Sequence, residues 1–167
     1  LAYKYPPEER ETILEGVEES IGRHGTITPV AMVRPVALSG SMVSRASLCN
    51  QDEVVRLQVG IGDTVIITKS AEIIPKIVRV EKRSKSPVWS MPTHCPGCQT
   101  PLHKEPGMVA WRCPNHACHE QVVQRIHHAV GKSALDFQGV GPAQAELLVK
   151  AGVTTLGHLF RITEKTV

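Results

Sequence analysis

Four of the five cysteines form two pairs with the spacing of a metal site. The first pair is Cys95 and Cys98, the second is Cys113 and Cys118, and fourteen residues separate the pairs. Thiolates on two tight turns can surround Zn²⁺ as a tetrahedron, with Zn–S distances of about 2.3 Å. Gly97 lets the first turn fold back so that backbone N–H groups point at the sulfur atoms. The spacing therefore predicts one zinc ion bound by all four cysteines.

The predicted zinc is structural rather than catalytic. Four thiolates fill the coordination sphere and leave no open position for a catalytic water. A segment of about 25 residues cannot bury enough apolar surface to fold unaided, so zinc must supply folding free energy on the order of 10 to 16 kcal/mol. The alternatives are two disulfides, which need an oxidising compartment, or His116 as the fourth ligand in place of Cys118. Cys49 stands apart, and we expect it to be a small buried apolar side chain.

The segment before the cysteines is rich in β-branched residues. Residues 13–21 fit either a helical face or a strand, and the glycines near them favour the strand. Runs at 26–33 and 36–43 are separated by Arg34 and Pro35, which predicts two strands joined by a tight turn. The first part of the chain is therefore expected to be a small sheet or barrel.

A short helix and two further strands complete this segment. Asn50 and Glu53 have the spacing of an N-cap and its reciprocal partner. Strands are predicted at 64–69 and 72–80, where Pro75 indicates an edge strand or a bulge. About five short strands, with one helix before the last pair, predict a Greek-key barrel of the OB type. A plain β-sandwich is the alternative.

The chain becomes helical after the cysteines. Residues 83–92 form a linker rich in Ser, Pro and Lys, and a helix with an apolar face is predicted from Gln121 onward. A second helix, 142–150, follows Gly139 and Gly141, which is typical of a helix-hairpin-helix with proline at the first helical position. Amides at such a helix N-terminus favour a phosphate. An ordinary turn between packed helices is the alternative.

Charge is uneven along the chain although the net charge is only +3. Residues 1–20 contain two basic and six acidic residues, whereas residues 69–85 contain six basic and two acidic residues. The second stretch could contact phosphates, and a solvated surface is the alternative. No apolar run approaches the length of a membrane span, and no Met stands at the beginning. We expect a segment of a longer chain that has no membrane partner.

Several segments, in this order, resemble the bacterial NAD-dependent DNA ligases. Residues 2–6 (AYKYP) are similar to the last motif of the family's nucleotidyltransferase domain, which implies that Lys4 contacts the phosphate of the adenylate. Residues 21–31 (IGRHGTITPVA) are similar to the opening of its OB-fold. The resemblance implies that Arg23 touches the DNA backbone. It also implies that His24, the next residue, is a DNA contact.

The resemblance continues to the end of the chain. Residues 69–75 (KSAEIIP) are similar to the family's second DNA-contacting segment, whose two aliphatic residues press into the minor groove. The four-cysteine finger and the helical hairpin follow in the family's order. Further DNA contacts implied here are Lys69, Ile73, Ile74, Gly139 and Gly141. The family usually has Arg, Ala and Gly at positions 69–71, Thr at position 24 and His at position 49, so the chain departs from the pattern at those sites.

The resemblance implies a multi-domain chain, mainly β and then α. The expected domains are the end of the nucleotidyltransferase domain (1–6), the OB-fold (7–86), the zinc finger (87–121) and part of a helix-hairpin-helix domain (122–167). The family seals nicks in duplex DNA in replication and repair through an enzyme adenylate and a DNA adenylate, using NAD and Mg²⁺. This chain has no Lys-x-Asp-Gly sequence, so it is expected to grip nicked duplex DNA and to be inactive alone.

The same resemblance implies a cytoplasmic monomer. The alternative function is a non-enzymatic nucleic-acid-binding module that pairs an OB-fold with a zinc ribbon. That alternative predicts aromatic residues on the barrel, on which single-stranded bases stack. The sequence places three aromatic residues in or near the barrel, all at its sequence edges, namely Tyr3, Tyr5 and Trp89.

Overall fold

The computed structural model describes residues 7–70 and 74–163, which divide into two compact units. The barrel unit comprises the described residues of 7–20, 28–91 and 105–110. The finger unit comprises the described residues of 21–27, 92–104 and 111–163. The proposed boundaries of four domains stay a prediction.

Five strands among the described residues close a barrel. They are β1 (Glu9–Ile21), β2 (Thr26–Leu38), β3 (Ser41–Ser47), β4 (Thr64–Ser70) and β5 (Ile74–Lys82). The strand order is β1-β4-β5-β3-β2, and β2 pairs again with β1. A helix, α1 (Gln51–Leu57), lies between β3 and β4 in the chain. The predicted OB-type barrel is confirmed, and the prediction of a strand for residues 13–21 is correct.

The predicted turn at Arg34 and Pro35 is wrong. β2 runs through both residues, and its register with β3 shifts between Met32 and Val36. Proline has no N–H to give to a sheet, so a local irregularity accommodates it without ending the strand. The chain reverses instead at Ser39 and Gly40, whose φ angles are 46° and 72°. These positive angles are those of a two-residue hairpin loop, although Ser is not a residue that favours it.

Pro75 does not lie on an edge strand. β5 pairs with both β4 and β3. The irregularities in the β4–β5 ladder lie near Val65 and Ile67, away from the Lys69–Pro75 pair. The prediction of an edge or a bulge at Pro75 is therefore wrong. Proline is tolerated because it is the second residue of the strand, where one lost ladder hydrogen bond does little harm.

The helix α1 begins as its sequence predicts. Asn50 Oδ1 accepts a hydrogen bond from the Glu53 N–H at 2.9 Å. The Glu53 carboxylate, however, accepts hydrogen bonds from Arg56 at 2.6 and 2.9 Å. The N-cap is thus confirmed, and the side chain expected as its reciprocal partner forms an ion pair along the helix instead.

The barrel interior is built from aliphatic side chains of the strands and of α1. Thirteen buried residues form this core: Leu14, Ala31, Val33, Leu38, Val43, Ala46, Leu48, Val54, Leu57, Val59, Val65, Ile67 and Ile77. The polar residue Asp63 is also buried, with 1 % of its surface exposed. Its carboxylate accepts hydrogen bonds from the N–H groups of Gly60 at 2.8 Å and Ser84 at 2.6 Å. Asp63 therefore ties the loop before β4 to the segment that follows β5.

Cys49 is exposed, contrary to the expectation of a buried side chain. Its φ is 59°, and it stands between the fully buried Leu48 and the N-cap Asn50. The left-handed backbone at Cys49 reverses the chain at the end of β3. This turn directs the thiol outward although the residue is flanked by core.

The finger unit has two short strands and three helices within its described part. They are β6 (His103–Lys104), β7 (Trp111–Arg112), α2 (His119–Val130), α3 (Pro142–Lys150) and α4 (Leu156–Leu159). The predicted helices from Gln121 and from Pro142 are confirmed. The apolar faces of α2 and α3 pack together with Val153 and Leu159 in a second core. None of the described helices has the length and apolar character that a membrane crossing requires.

Candidate metal centre and nucleic-acid interface

The four paired cysteines converge on one point in the finger unit. Their Sγ atoms all lie within 4.8 Å of one another. Cys95 and Cys118 are 3.9 Å apart, and Cys98 and Cys113 are 3.5 Å apart, measured between the sulfur atoms. Sulfur atoms around a tetrahedral zinc ion are roughly 3.8 Å apart when the Zn–S distance is about 2.3 Å. The donor set therefore fits zinc. All five cysteines of the chain are among the described residues, and none is in a disulfide.

Backbone amides point at the sulfur atoms from both turns. Cys95 accepts from the N–H groups of Gly97 and Cys98. Cys113 accepts from the Asn115 N–H and Cys118 from the Gln121 N–H. Such donors stabilise a thiolate over a thiol. The local backbone is thus arranged for four negatively charged ligands around one cation.

The four thiols have different acidities in the absence of a metal. Burial raises the pKa of Cys95, Cys113 and Cys118 above the ordinary value of 9.0. Burial acts in the same direction on Cys98, but hydrogen bonds with the side chain and backbone of Thr100, together with those shared with Cys113 and Cys118, outweigh it and lower the pKa of Cys98 to about 6. The Cys98 sulfur is therefore mainly a thiolate at neutral pH, the form that binds metal. The other three must release protons when a cation binds.

The turn between β1 and β2 is attached to the second cysteine pair. The Cys113 N–H donates to the Gly25 carbonyl at 2.8 Å, and Thr26 and Ile27 pair with Arg112 and Trp111 in the sheet. Gly25 has a φ of 77°, which favours glycine. We call residues 22–25 the arginine turn, because they carry Arg23. The arginine turn is thereby fixed on the same backbone that supplies a metal ligand.

Arg23 and His24 are exposed at the tip of the arginine turn. Arg23 Nε donates to His24 Nε2 at 3.0 Å. Both side chains line a cavity of about 790 Å³ in the finger unit. Arg125 and His128 of α2 line the same cavity, together with apolar side chains that include Ile126, Ala129, Leu135, Leu156 and Phe160. The structure thus adds two basic side chains to the two that the sequence indicated.

Lys69 lies in β4, and its side chain reaches the hairpin loop between β2 and β3 of the barrel unit. Its Nζ donates to Ser41 Oγ at 2.8 Å and to the Ser39 carbonyl at 3.3 Å. The Glu8 carboxylate accepts from the Ser39 N–H at 2.7 Å, and the charge of Lys69 helps to lower the pKa of Glu8. The ammonium group is therefore held in place on a polar loop, close to one carboxylate.

The remaining predicted contact residues divide into two groups. Ile74 is 60 % exposed at the start of β5, whereas Lys4 and Ile73 lie outside the described residues. Gly139 is exposed with a φ of 80°, and Gly141 is the N-cap of α3. The Gly141 N–H donates to Gln144 Oε1 at 3.1 Å. A phosphate at this helix end would have to displace the Gln144 side chain from that amide.

Gln121 is a residue of this site that sequence reasoning did not identify. Its side chain is fully buried beside the second cysteine pair. Its Nε2 donates to the carbonyl groups of Cys113 and Asn115, each at 3.0 Å. In the sequence it marks only the start of a helix. The only sequence feature that could have indicated Gln121 is a polar residue three positions after Cys118. Polar residues are equally common at exposed helix positions, so this feature is not specific.

Comparison with known proteins agrees with this architecture. A family model described as the NAD-dependent DNA ligase OB-fold domain matches residues 11–88. A second, described as the NAD-dependent DNA ligase C4 zinc finger domain, matches residues 94–125. The first match covers the barrel strands, and the second covers the four-thiol cluster and the start of α2.

Relatives similar to nearly the whole chain carry the name DNA ligase. One from Chlamydia pneumoniae is 47 % identical over 167 residues, covering 98 % of this chain and 25 % of the relative. One from Akkermansia muciniphila is 46 % identical, covering 92 % of this chain and 20 % of the relative. One from Chlorobaculum parvum is 44 % identical, covering 99 % and 25 %. The chain spans about a quarter or less of the length of these curated relatives. Because both family models match in order and the described fold agrees with them, the chain belongs to the NAD-dependent DNA ligase family.

Proposed function

We propose that this chain grips DNA for an NAD-dependent DNA ligase that seals nicks in duplex DNA during replication and repair. The observation that carries the proposal is the attachment of the arginine turn to the four-thiol cluster. A metal centre without an open position gives a rigid base, and on it stands a turn with an exposed arginine. Such a base suits a phosphate contact that must keep its position.

The role proposed for the chain is position rather than chemistry. In the longer enzyme, a lysine of a Lys-x-Asp-Gly motif would take AMP from NAD, with Mg²⁺ present, and release nicotinamide mononucleotide. The AMP would pass to the 5′-phosphate at the nick, and the 3′-hydroxyl would then attack that phosphate and displace AMP. This chain contains no Lys-x-Asp-Gly sequence. Lys4 is proposed to contact the phosphate of the adenylate, where its charge would stabilise the transferring group.

The proposed DNA contacts are made mainly to the backbone. Arg23, His24 and Lys69 offer cationic or hydrogen-bonding groups to phosphates, which position a protein on DNA without reading its sequence. The exposed Ile74, together with Ile73, would press into the minor groove beside the nick, as apolar side chains do in proteins that deform DNA. Gly139 and Gly141 would offer backbone amides at the helical hairpin. Binding should therefore be independent of sequence.

The proposed zinc ligands are Cys95, Cys98, Cys113 and Cys118. Zinc held there would supply no chemistry to ligation and would keep the two cysteine turns closed. We further propose that the ligase acts as a monomer in the cytoplasm, where bacterial chromosomal DNA lies. The first proposal rests on the family resemblance, and the second on where the DNA that a bacterial ligase would seal is found.

A single-strand-binding accessory module is a weaker candidate. It requires aromatic side chains that are free to stack on bases. Within the described residues of the barrel unit, the aromatic residue is Trp89, and its side chain packs against the barrel core. A partly buried indole in that position is a poor platform for stacking.

The proposal is tested by titrating the chain with a nicked duplex and with single strands of the same sequence. We expect duplex binding with a dissociation constant of roughly 10⁻⁴ to 10⁻⁶ M at physiological salt and no sequence preference. Incubation with radiolabelled NAD should give no labelled protein. Absence of duplex binding at low salt, or clear preference for single strands, would reject the proposal. A labelled protein band would show that the chain forms an adenylate itself, and would reject the proposal that it only positions DNA.

A further inference from the structure

We infer that Gln121 is a positioning residue that couples the zinc site to the arginine turn, so that the metal-held backbone sets the phosphate contact of Arg23. This inference rests on the proposed function, because it takes Arg23 as a DNA contact. It adds a residue that touches neither DNA nor metal through its side chain. It also gives the metal centre a specific task in DNA binding.

Gln121 braces the second cysteine turn from two sides. Its backbone N–H donates to the Cys118 sulfur. Its side-chain Nε2 donates to the carbonyl groups of Cys113 and Asn115, each at 3.0 Å. A completely buried amide with this pattern fixes the carbonyl of one metal ligand relative to the sulfur of another. Loss of the side-chain donors would leave two carbonyl groups without these partners, which costs more than one ordinary hydrogen bond.

The arginine turn rests on the atoms that Gln121 holds. A Cβ atom at Gly25 would lie 2.4 Å from the Cys113 carbonyl oxygen and 2.8 Å from Gln121 Nε2. The Cys113 N–H also donates to the Gly25 carbonyl at 2.8 Å. Gly25 therefore packs directly on the Cys113 backbone, and a shift of that backbone must move Gly25.

Movement of Gly25 would reach Arg23 through a very short path. The Gly25 N–H donates to the Gly22 carbonyl at 2.9 Å and closes the turn around Arg23 and His24. Ile21, at the beginning of this path, is buried and would lie 3.1 Å from a Cβ atom at Gly97 of the first cysteine turn. Both cysteine turns thus contact the segment that carries Arg23. The placement of its guanidinium depends on the backbone of the metal site.

The experiment is a double-mutant cycle on binding to a nicked duplex. Gln121→Met keeps side-chain length and removes both donors, and Gln124→Met on the same helix is the matched control. Each is measured alone and with Arg23→Ala, together with zinc content and the salt dependence of binding. Arg23→Ala should reduce the salt slope by about 0.9, which is roughly a fivefold loss of affinity at 0.15 M salt. Gln121→Met should retain zinc, give a loss of similar size in the parent chain, and give none in the Arg23→Ala chain.

A second pair of variants covers the case in which Gln121→Met loses zinc. Gly25→Ala adds a side chain against Cys113, and Gly107→Ala is its control, since Gly107 has a similar φ of 79° and no atom within 4 Å of an added Cβ. Gly25→Ala should keep zinc and lose the contribution of Arg23 to DNA affinity, whereas Gly107→Ala should keep both.

The possible results separate the inference from the function on which it rests. If Arg23→Ala binds DNA like the parent chain, the proposed contact fails, and the coupling fails with it. If Arg23→Ala weakens binding while Gln121→Met or Gly25→Ala with zinc bound does not, the contact stands and the coupling is wrong. Losses that simply add in the double variants would also overturn the coupling.

Discussion

The Cys113 N–H and the Gly25 carbonyl form a hydrogen bond of 2.8 Å that joins the metal centre to the turn between β1 and β2. Cys113 supplies a sulfur to the four-thiol cluster, and Gly25 comes directly after Arg23 and His24 in the chain. A side chain at position 25 would force the Cys113 backbone to shift, since its Cβ atom would lie 2.4 Å from the Cys113 carbonyl oxygen. The metal centre and the turn are therefore one structural element.

The first prediction concerns zinc content. The purified chain should contain one zinc ion per molecule, and Cys113→Ser should contain almost none, because a hydroxyl group is a poor replacement for a thiolate in a four-sulfur site. Atomic absorption after gel filtration measures the ratio. Cys49→Ser is the matched control, since Cys49 lies outside the cluster. A folded chain without zinc, or with disulfides between the pairs, would contradict the prediction.

The second prediction concerns the electrostatic contacts with DNA. Arg23→Ala and Lys69→Ala should each weaken binding to duplexes of any sequence and reduce the salt slope by up to about one unit. The reduction should be smaller for Lys69, because Glu8 already lies close to its charge. Titrations between about 0.05 and 0.2 M salt give the slope. Arg34→Ala is a control, since Arg34 is paired with Glu15 at 3.1 Å. Unchanged slopes in both variants would place the phosphate contacts elsewhere.

The third prediction concerns the stability of the barrel unit. Asp63→Ala should destabilise the chain by about 2 to 4 kcal/mol, because the N–H groups of Gly60 and Ser84 lose a charged acceptor. Asp63→Asn should cost less, since it keeps one carbonyl oxygen. Urea unfolding followed by fluorescence measures the change. Glu11→Ala removes an exposed acidic side chain from β1 and should change stability little. Equal stabilities of the Asp63→Ala and Glu11→Ala variants would count against this role.

The fourth prediction concerns pH. Hydrogen bonds from the Ser39 hydroxyl and N–H, with the charges of Arg10 and Lys69, lower the pKa of Glu8 below 4.5. A carboxyl group with a lowered folded-state pKa stabilises the fold above its unfolded pKa, and that contribution disappears as pH falls through the folded value. The melting temperature of Glu8→Gln should therefore lie below that of the parent chain at pH 6, and the two should converge as the pH falls below 4.5 and through the lowered folded-state pKa of Glu8. A constant difference across this range would show that the carboxylate charge plays no part.

Local features of the fold follow from the sequence because they depend on neighbouring residues. The cysteine spacing determines a four-thiol cluster, since two short turns can each present a pair of sulfur atoms to one ion. Asn50 caps α1 because its side chain reaches an amide three residues later. The order of β-rich runs around one short helix was sufficient to predict the barrel. In each case the interacting groups are close in the chain or the pattern repeats along it.

Other features could be seen only in the folded backbone. Pro35 lies within a strand because β2 pairs with β3 on both sides of it, across a register shift, although the local sequence predicts a turn. Cys49 is exposed because a left-handed turn follows the buried Leu48. The Gly141 amide donates to the Gln144 side chain, a choice that only the folded geometry makes.

The contact between Gly25 and the backbone of Cys113 shows most clearly the difference between what the sequence predicts and what only the fold decides. The sequence indicated Arg23 as a DNA contact and Cys113 as a metal ligand through separate motifs. Nothing in either motif indicated that the two lie on one element, or that Gln121 braces them. That arrangement arises because β7 pairs with the start of β2, which brings residues almost ninety positions apart to hydrogen-bonding distance. The residue types determined the chemistry available to this protein, and the tertiary structure determined which of them act together.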